Sequence, residues 1–315
     1  MTFDAGNGII FIPHFLKLFI FIYNKYINKN KKIMTQVFLA IFFIKALHWG
    51  VAGSAIALII SEIISVIPCI YFIKHKFPII RISKDDWKIK FDKEFYESAI
   101  EHLRVGLPMA VQFSLIGISI LIIQSVCNSF GENIIVSFTA AMRIEQMATM
   151  PMLSFAVALT TYVAQNYGAK NFKRIKSGVN LTSVINIVIA VLMAIVMRFW
   201  GTQIIGVFIG DVSDEIINIA HQYLLISTFF YFFLGQMFIF RNSLQGMGAS
   251  VIPLVACTSE LVMRMFAAIY LSMKIGYVGI FYAGPIAWVS AAVIVAIGYF
   301  VSLKSIAIKA LKTEN

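Results

Sequence analysis

The sequence is short of charge. Asp, Glu, Lys and Arg make up 13% of its 315 residues, against about 25% in a soluble domain. Acids are the scarcer sign, 15 against 26 Lys and Arg. Hydrophobic residues reach 60%, so a water-soluble fold would have to expose large apolar patches. Soluble, disordered and nucleic-acid-binding classes are therefore excluded. Cysteine is scarce too: Cys69, Cys127 and Cys257 lie inside apolar runs, which suggests neither a disulfide framework nor a metal site. The sequence has no glycine-rich phosphate loop, no His-Glu-x-x-His and no cysteine pair at metal spacing, so it offers no familiar catalytic constellation. Its five histidines, His14, His48, His75, His102 and His221, never pair at i, i+4 on one span. No enzyme activity, haem, zinc or other cofactor is expected.

Long apolar runs are abundant. A membrane-crossing helix needs roughly 20 predominantly apolar residues, and seven segments meet that length: 51–73, 106–127, 134–165, 179–200, 219–240, 251–273 and 279–303. Two further segments, 34–47 and 9–23, are apolar but short, and the second contains Pro13, His14 and Lys17. Backbone groups in lipid must bond internally, so the expectation is an all-α polytopic membrane protein. Basic residues cluster in 74–104, in 168–178 (Lys170, Lys173, Arg174, Lys176) and in the tail (Lys304, Lys309, Lys312). The alternate loops are short or acidic, with Glu132, then Asp211, Asp214 and Glu215. The positive-inside rule places the basic regions in the cytoplasm. With six spans between them, segment 74–104 and the C-terminus fall on the same side.

The chain also repeats itself. Gly50-Val-Ala-Gly53-Ser-Ala-Ile-Ala57 resembles Gly276-Tyr-Val-Gly279-Ile-Phe-Tyr-Ala283, 226 residues later. Each stretch opens a span after an apolar segment. The six spans from 106 to 303 then form one complete repeat, and 34–73 the end of another, as in transporters built from internal repeats.

Ionisable residues deep in a span are expensive and mark functional candidates. Glu145 stands about eleven residues into its run, near the midplane, and is the candidate site for a proton or coupling cation. Arg143, two residues away, points largely elsewhere on a helix. Glu260 and Arg264 have the i, i+4 order that favours an ion pair, and could form a charged cavity wall. Glu62 is an acid within the 51–73 span. Arg241, near an inner helix end, reads mainly as an anchor. Gln112 and Ser119 share one face of their helix, as do Gln124 and Asn128; this arrangement suits either a substrate cavity or interhelical hydrogen bonds. Gln236 and Asn242, towards the end of the 219–240 region, are further candidates for the wall of a substrate cavity, as is Arg143. The run Phe229, Phe230, Tyr231, Phe232, Phe233 reads mainly as lipid-facing packing.

Several motifs resemble a known family. Gly106-Leu-Pro108-Met-Ala-Val-Gln112 is similar to the opening of helix seven of the multidrug and toxic compound extrusion (MATE) transporters. Ala140-Ala-Met-Arg143-Ile-Glu145-Gln146, with Pro151 and Gln165-Asn166-Tyr-Gly168-Ala169, resembles their helix eight. Arg241-Asn242-Ser-Leu-Gln245-Gly246-Met-Gly248 resembles the end of helix ten, Gly276 to Trp288 the start of helix twelve, and Trp49 to Ala57 with Ser61-Glu62 helix six. The resemblance covers about residues 48–303. It implies one six-helix MATE-type lobe (105–303, helices seven to twelve) plus one to three extra N-terminal helices. Ahead of the lobe come a divergent segment 1–33, the end of an N-terminal lobe 34–73 and a cytoplasmic inter-lobe linker 74–104; a cytoplasmic tail 304–315 follows it. The implied activity is export of drugs or small organic cations across the plasma membrane against Na+ or H+, by alternating access. The resemblance also implies that the rest of the N-terminal lobe lies outside this chain, to be supplied by a partner or by a second copy. Two other readings are a truncated, non-transporting membrane fragment and a lipid-linked sugar flippase of the same superfamily.

Overall fold

The computed structural model describes residues 36–76, 93–210 and 212–313. The short apolar segment 9–23 lies outside the described residues. Among these residues all regular structure is helical, and the chain divides into two compact units, Met1–Ser98 and Ala99–Asn315.

In the first unit, α1 (Gln36–Ala46) ends in a π turn over Phe42–Ala46. The chain reverses through His48 and Gly50, whose φ angles are +55° and +52°, and enters α2 (Gly50–Lys76). Phe43 stacks on Trp49 with ring centroids 5.3 Å apart. A Cβ at Gly53 would lie 3.2 Å from the Phe43 backbone, a tight contact that glycine relieves where α1 folds back. α2 is about 40 Å long at ~1.5 Å per residue, enough to cross a bilayer.

The second unit holds α3 (Lys93–Asn128, its first turns in the first unit), α4 (Glu132–Gly168), α5 (Phe172–Ile209), α6 (Asp214–Phe229), α7 (Tyr231–Gly246), α8 (Val251–Ile275) and α9 (Val278–Thr313). Five of these helices are long and apolar enough to cross a membrane, and α6 with α7 reaches that length and composition only as a bent pair. The segment read as the linker 74–104 already turns helical at Lys93, and α9 runs on through the expected tail to Thr313.

One expectation is corrected. The apolar run 219–240 is not one continuous helix: α6 and α7 meet at Phe230 with a bend of 54°. The break resolves a conflict between neighbouring aromatics. Phe229 stays 80% exposed while Tyr231 is fully buried. The aromatic run is thus not all lipid-facing, because Tyr231 is part of the core.

Small residues let the helices approach. Ala283, Ala287 and Ala291 on α9 are each 0% exposed and recur every fourth residue, making a flat face where α9 packs against α7 and α8. Interfaces of this kind dominate helix packing in lipid, where apolar burial alone gives little driving force. The opposite faces carry Phe113, Leu121 and Val207 in the open, a surface suited to acyl chains. α3 packs only lightly on the other helices, through Ile123 and Cys127 and the polar contacts of Gln112. The protein is an all-α, multi-pass membrane protein.

The internal repeat reappears as local geometry. α8 carries a π turn at Ala267–Leu271, the counterpart of Phe42–Ala46. Gly276 has φ +66°, like Gly50. A Cβ at Gly279 would lie 2.3 Å from the Leu271 and Ser272 backbone, matching the close approach at Gly53. A π turn, a left-handed glycine and a contact glycine recur in the same order.

Candidate functional site

The second unit buries two polar clusters of opposite character. The first surrounds Glu145, which α4 carries about 20 Å from its start at Glu132, at ~1.5 Å per residue. Its side chain is buried, and its Oε2 accepts a 2.7 Å hydrogen bond from the hydroxyl of Tyr223 on α6. Phe138 and Phe281 hold the Tyr223 ring edge-on at 5.2 and 5.4 Å, an aromatic clamp that fixes the donor. Ser227, one turn further along α6, and Tyr231 lie in the same surroundings, and the charge of Arg264 reaches Glu145. Glu145 Oε1 and the hydroxyls of Ser227 and Tyr231 are buried without a well-formed hydrogen bond, although the Ser227 hydroxyl lies near enough to Glu145 and Tyr223 to interact with both. One carboxylate oxygen is therefore satisfied and the other is open. Such a group can take a proton or a small cation.

The second cluster joins α7 to α8. Glu260 Oε1 accepts from Arg264 Nη2 at 2.7 Å, and its Oε2 accepts from Arg241 Nη2 at 2.8 Å. The Glu260–Arg264 pairing read from the i, i+4 spacing is present. Arg241 is a correction: it is 9% exposed and ion-paired, not an interfacial anchor. The pairing of Arg241 depends on a residue 19 positions further on, on α8, which its place near a helix end could not reveal. Beside this triad, Gln112 Oε1 accepts from Gln245 Nε2 at 3.3 Å and from the Cys257 thiol at 3.9 Å.

The other expected site residues fall elsewhere. Ser119 is buried with an unpartnered hydroxyl, and Gln236 Nε2 is likewise buried and unpartnered. Asn242 Oδ1 accepts from Thr160 at 2.9 Å, tying α7 to α4. Gln124 donates to Asn128 at 3.1 Å on an exposed helix end, so this pair satisfies itself and joins neither cluster. Arg143 is exposed and reaches only Gln146, at 3.4 Å; it too stands apart. Glu62 belongs to α2 in the first unit and is exposed. Among the described residues no three His, Cys, Asp or Glu side chains are grouped to hold a metal. Sequence reading missed Tyr223, Ser227, Tyr231 and Arg241. The available signal for the tyrosines was a polar-tipped aromatic inside a span, which when buried usually finds a partner.

Comparison with known proteins agrees with this architecture. The chain is 27% identical over 207 residues to the probable multidrug resistance protein YoeA of Bacillus subtilis, covering 65% of this chain and 44% of that protein. It is 29% identical over 227 residues to the probable multidrug resistance protein YpnP of the same organism, covering 71% and 48%. The chain thus spans about half the length of the curated relatives it matches. Its fold superposes on a MOP superfamily transporter from Pyrococcus furiosus with a TM-score of 0.77 at 21% identity, covering 88% of this chain and 61% of the other. An outward-facing multidrug resistance MATE transporter gives a TM-score of 0.76 at 22% identity, again over 88% and 61%. Residues 108–270, just over half of the chain and the stretch that carries Glu145, Tyr223, Arg241, Glu260 and Arg264, match the MatE domain, and the chain belongs to the MATE family.

Proposed function

We propose that this chain forms the C-terminal lobe of a cation-coupled exporter of drugs or small organic cations. It works by alternating access with a second lobe, either an N-terminal lobe or a second copy of the chain. Glu145 is the coupling site. The observation that carries this reading is the buried Glu145 carboxylate, held on one oxygen by the clamped Tyr223 hydroxyl and open on the other. A proton or Na+ on that oxygen changes the charge of a water-poor site, and that change is what a coupling ion must do to bias two conformations. The relatives' printed names, multidrug resistance proteins, support drugs as cargo. In this reading the basic segments 74–104 and 168–178 and the C-terminus face the cytoplasm, and the protein resides in the plasma membrane.

The test is efflux of ethidium from cells expressing the full chain, with membrane insertion verified and an empty vector as control. Efflux above vector that Glu145→Gln abolishes supports the reading. An inserted chain that effluxes no dye, alone or with an N-terminal lobe from a relative co-expressed, overturns it in favour of a non-transporting fragment.

A further inference from the structure

The two polar clusters differ in what they leave unsatisfied. Around Glu145 the orphan groups are oxygens: Glu145 Oε1 and the hydroxyls of Ser227 and Tyr231. Around Glu260 the orphans are all N–H donors: Arg241 Nε, Arg264 Nε and Gln112 Nε2, each buried and without a partner. Two guanidiniums share a single carboxylate here, so the triad by itself carries an excess positive charge, fully so when Glu145, within electrostatic reach of Arg264, is neutralised by a proton or cation. Each guanidinium presents five donors, and each places one nitrogen on Glu260. Arg241 Nη2 additionally meets only the Met237 thioether, at 3.4 Å, a weak acceptor. Cys257 feels the charges of Arg241, Glu260 and Arg264 and donates to Gln112, which places Gln112 beside the triad. Buried polar groups are nearly always paired, and those left unpaired call for an explanation. Three unpartnered donors around a net positive charge, in a membrane lobe, fit one class of group: an anion with several acceptor oxygens.

We infer that the Arg241–Arg264 pair is an anion subsite that takes the carboxylate of a zwitterionic substrate. Arg264 adjoins both clusters, being paired with Glu260 and within electrostatic reach of Glu145. A molecule with an amine at one end and an acid at the other would place the amine against the orphan oxygens and the acid against the orphan N–H groups. Guanidinium suits the acid end because its planar fork binds carboxylates through two bonds. Glu260 is then an internal stand-in for the substrate carboxylate and keeps the arginines paired when no substrate is present. The inference rests on the reading of this lobe as a small-molecule transporter, and not on which ion couples transport.

The test compares rhodamine 110, which has a free carboxylate, with rhodamine 123, its methyl ester. Binding to the purified full chain in nanodiscs is followed by fluorescence anisotropy. The wild type is expected to bind the acid about tenfold or more tightly than the ester, the worth of one hydrogen bond to a charged group. Arg264→Gln should erase the difference. Glu260→Gln removes the internal competitor and should widen it, whereas a purely structural Glu260 predicts that it narrows. Equal affinity for the two dyes in the wild type, or a narrowed ratio in Glu260→Gln, overturns the inference. Glu145→Gln should weaken both dyes alike and preserve their ratio. If it leaves both affinities unchanged while the ratio persists, the coupling role of Glu145 fails and the anion subsite stands.

Discussion

Glu260 sits between two arginines, and that asymmetry orders the cost of removing each partner. The Arg241, Arg264 and Glu260 side chains are only 10–11% exposed, so the large penalties of buried pairs apply rather than the small ones of surface pairs. Glu260→Gln leaves two guanidiniums facing each other without their carboxylate, and should destabilise the lobe by about 3–5 kcal/mol. Arg264→Gln leaves Glu260 still paired with Arg241 at 2.8 Å. It removes one charge-assisted bond, for about 1.5–3 kcal/mol. In the double variant the second substitution removes a charge that the first has already orphaned. The combined cost should therefore fall short of the sum by about 1–3 kcal/mol. Unfolding of the purified chain in mixed dodecylmaltoside–SDS micelles, without ligand, gives all three values when followed by tryptophan fluorescence, since Trp288 is buried in the core. Additive costs, or an Arg264→Gln penalty larger than that of Glu260→Gln, would refute the account of one carboxylate shared by two cations.

Three other outcomes are expected. Gly279→Ala drives a methyl to 2.3 Å from the Leu271 and Ser272 backbone and should lower the thermal midpoint and folded yield through an overpacking cost of about 1–3 kcal/mol. Gly117→Ala, with nothing within 4 Å, should instead be neutral or stabilise by up to about 1 kcal/mol; a scanning thermal assay in detergent compares them. Thr160→Val removes the donor to Asn242 and should cost about 1 kcal/mol in the same micelle titration, with Asn242→Ala giving little further loss in the double variant. In a background without native cysteines, Lys173→Cys should react with a membrane-impermeant maleimide only after permeabilisation, while Glu132→Cys should react in intact cells; the reverse pattern would invert the topology.

Parts of the candidate site were legible where the signal was local. Glu145 stood out because an ionised acid in mid-span is expensive wherever its helix packs. The Glu260–Arg264 pair followed from a four-residue spacing on one helix. Tyr223 lies 78 residues from Glu145, and no periodicity on either helix points one at the other. Arg241 was misread because its position near a helix end suggested an anchor, and only the approach of α8 makes it a buried partner. Gln124 and Asn128 shared a face as expected, but hydrogen-bonded each other on an exposed helix end.

The sequence by itself determined what depends on solvent and on single helices. Apolar runs of bilayer length made the chain a helical membrane protein, because lipid leaves the backbone no other way to satisfy itself. The paired Gly50–Gly53 and Gly276–Gly279 stretches announced a repeat that returns as two π turns with matching glycines. The bend at Phe230, the Tyr223 bond to Glu145 and the sharing of Glu260 by two arginines were decided only by tertiary structure. Each depends on how one helix lies against another, and in lipid that is set by side-chain packing and interhelical polar contacts rather than by hydrophobic pattern.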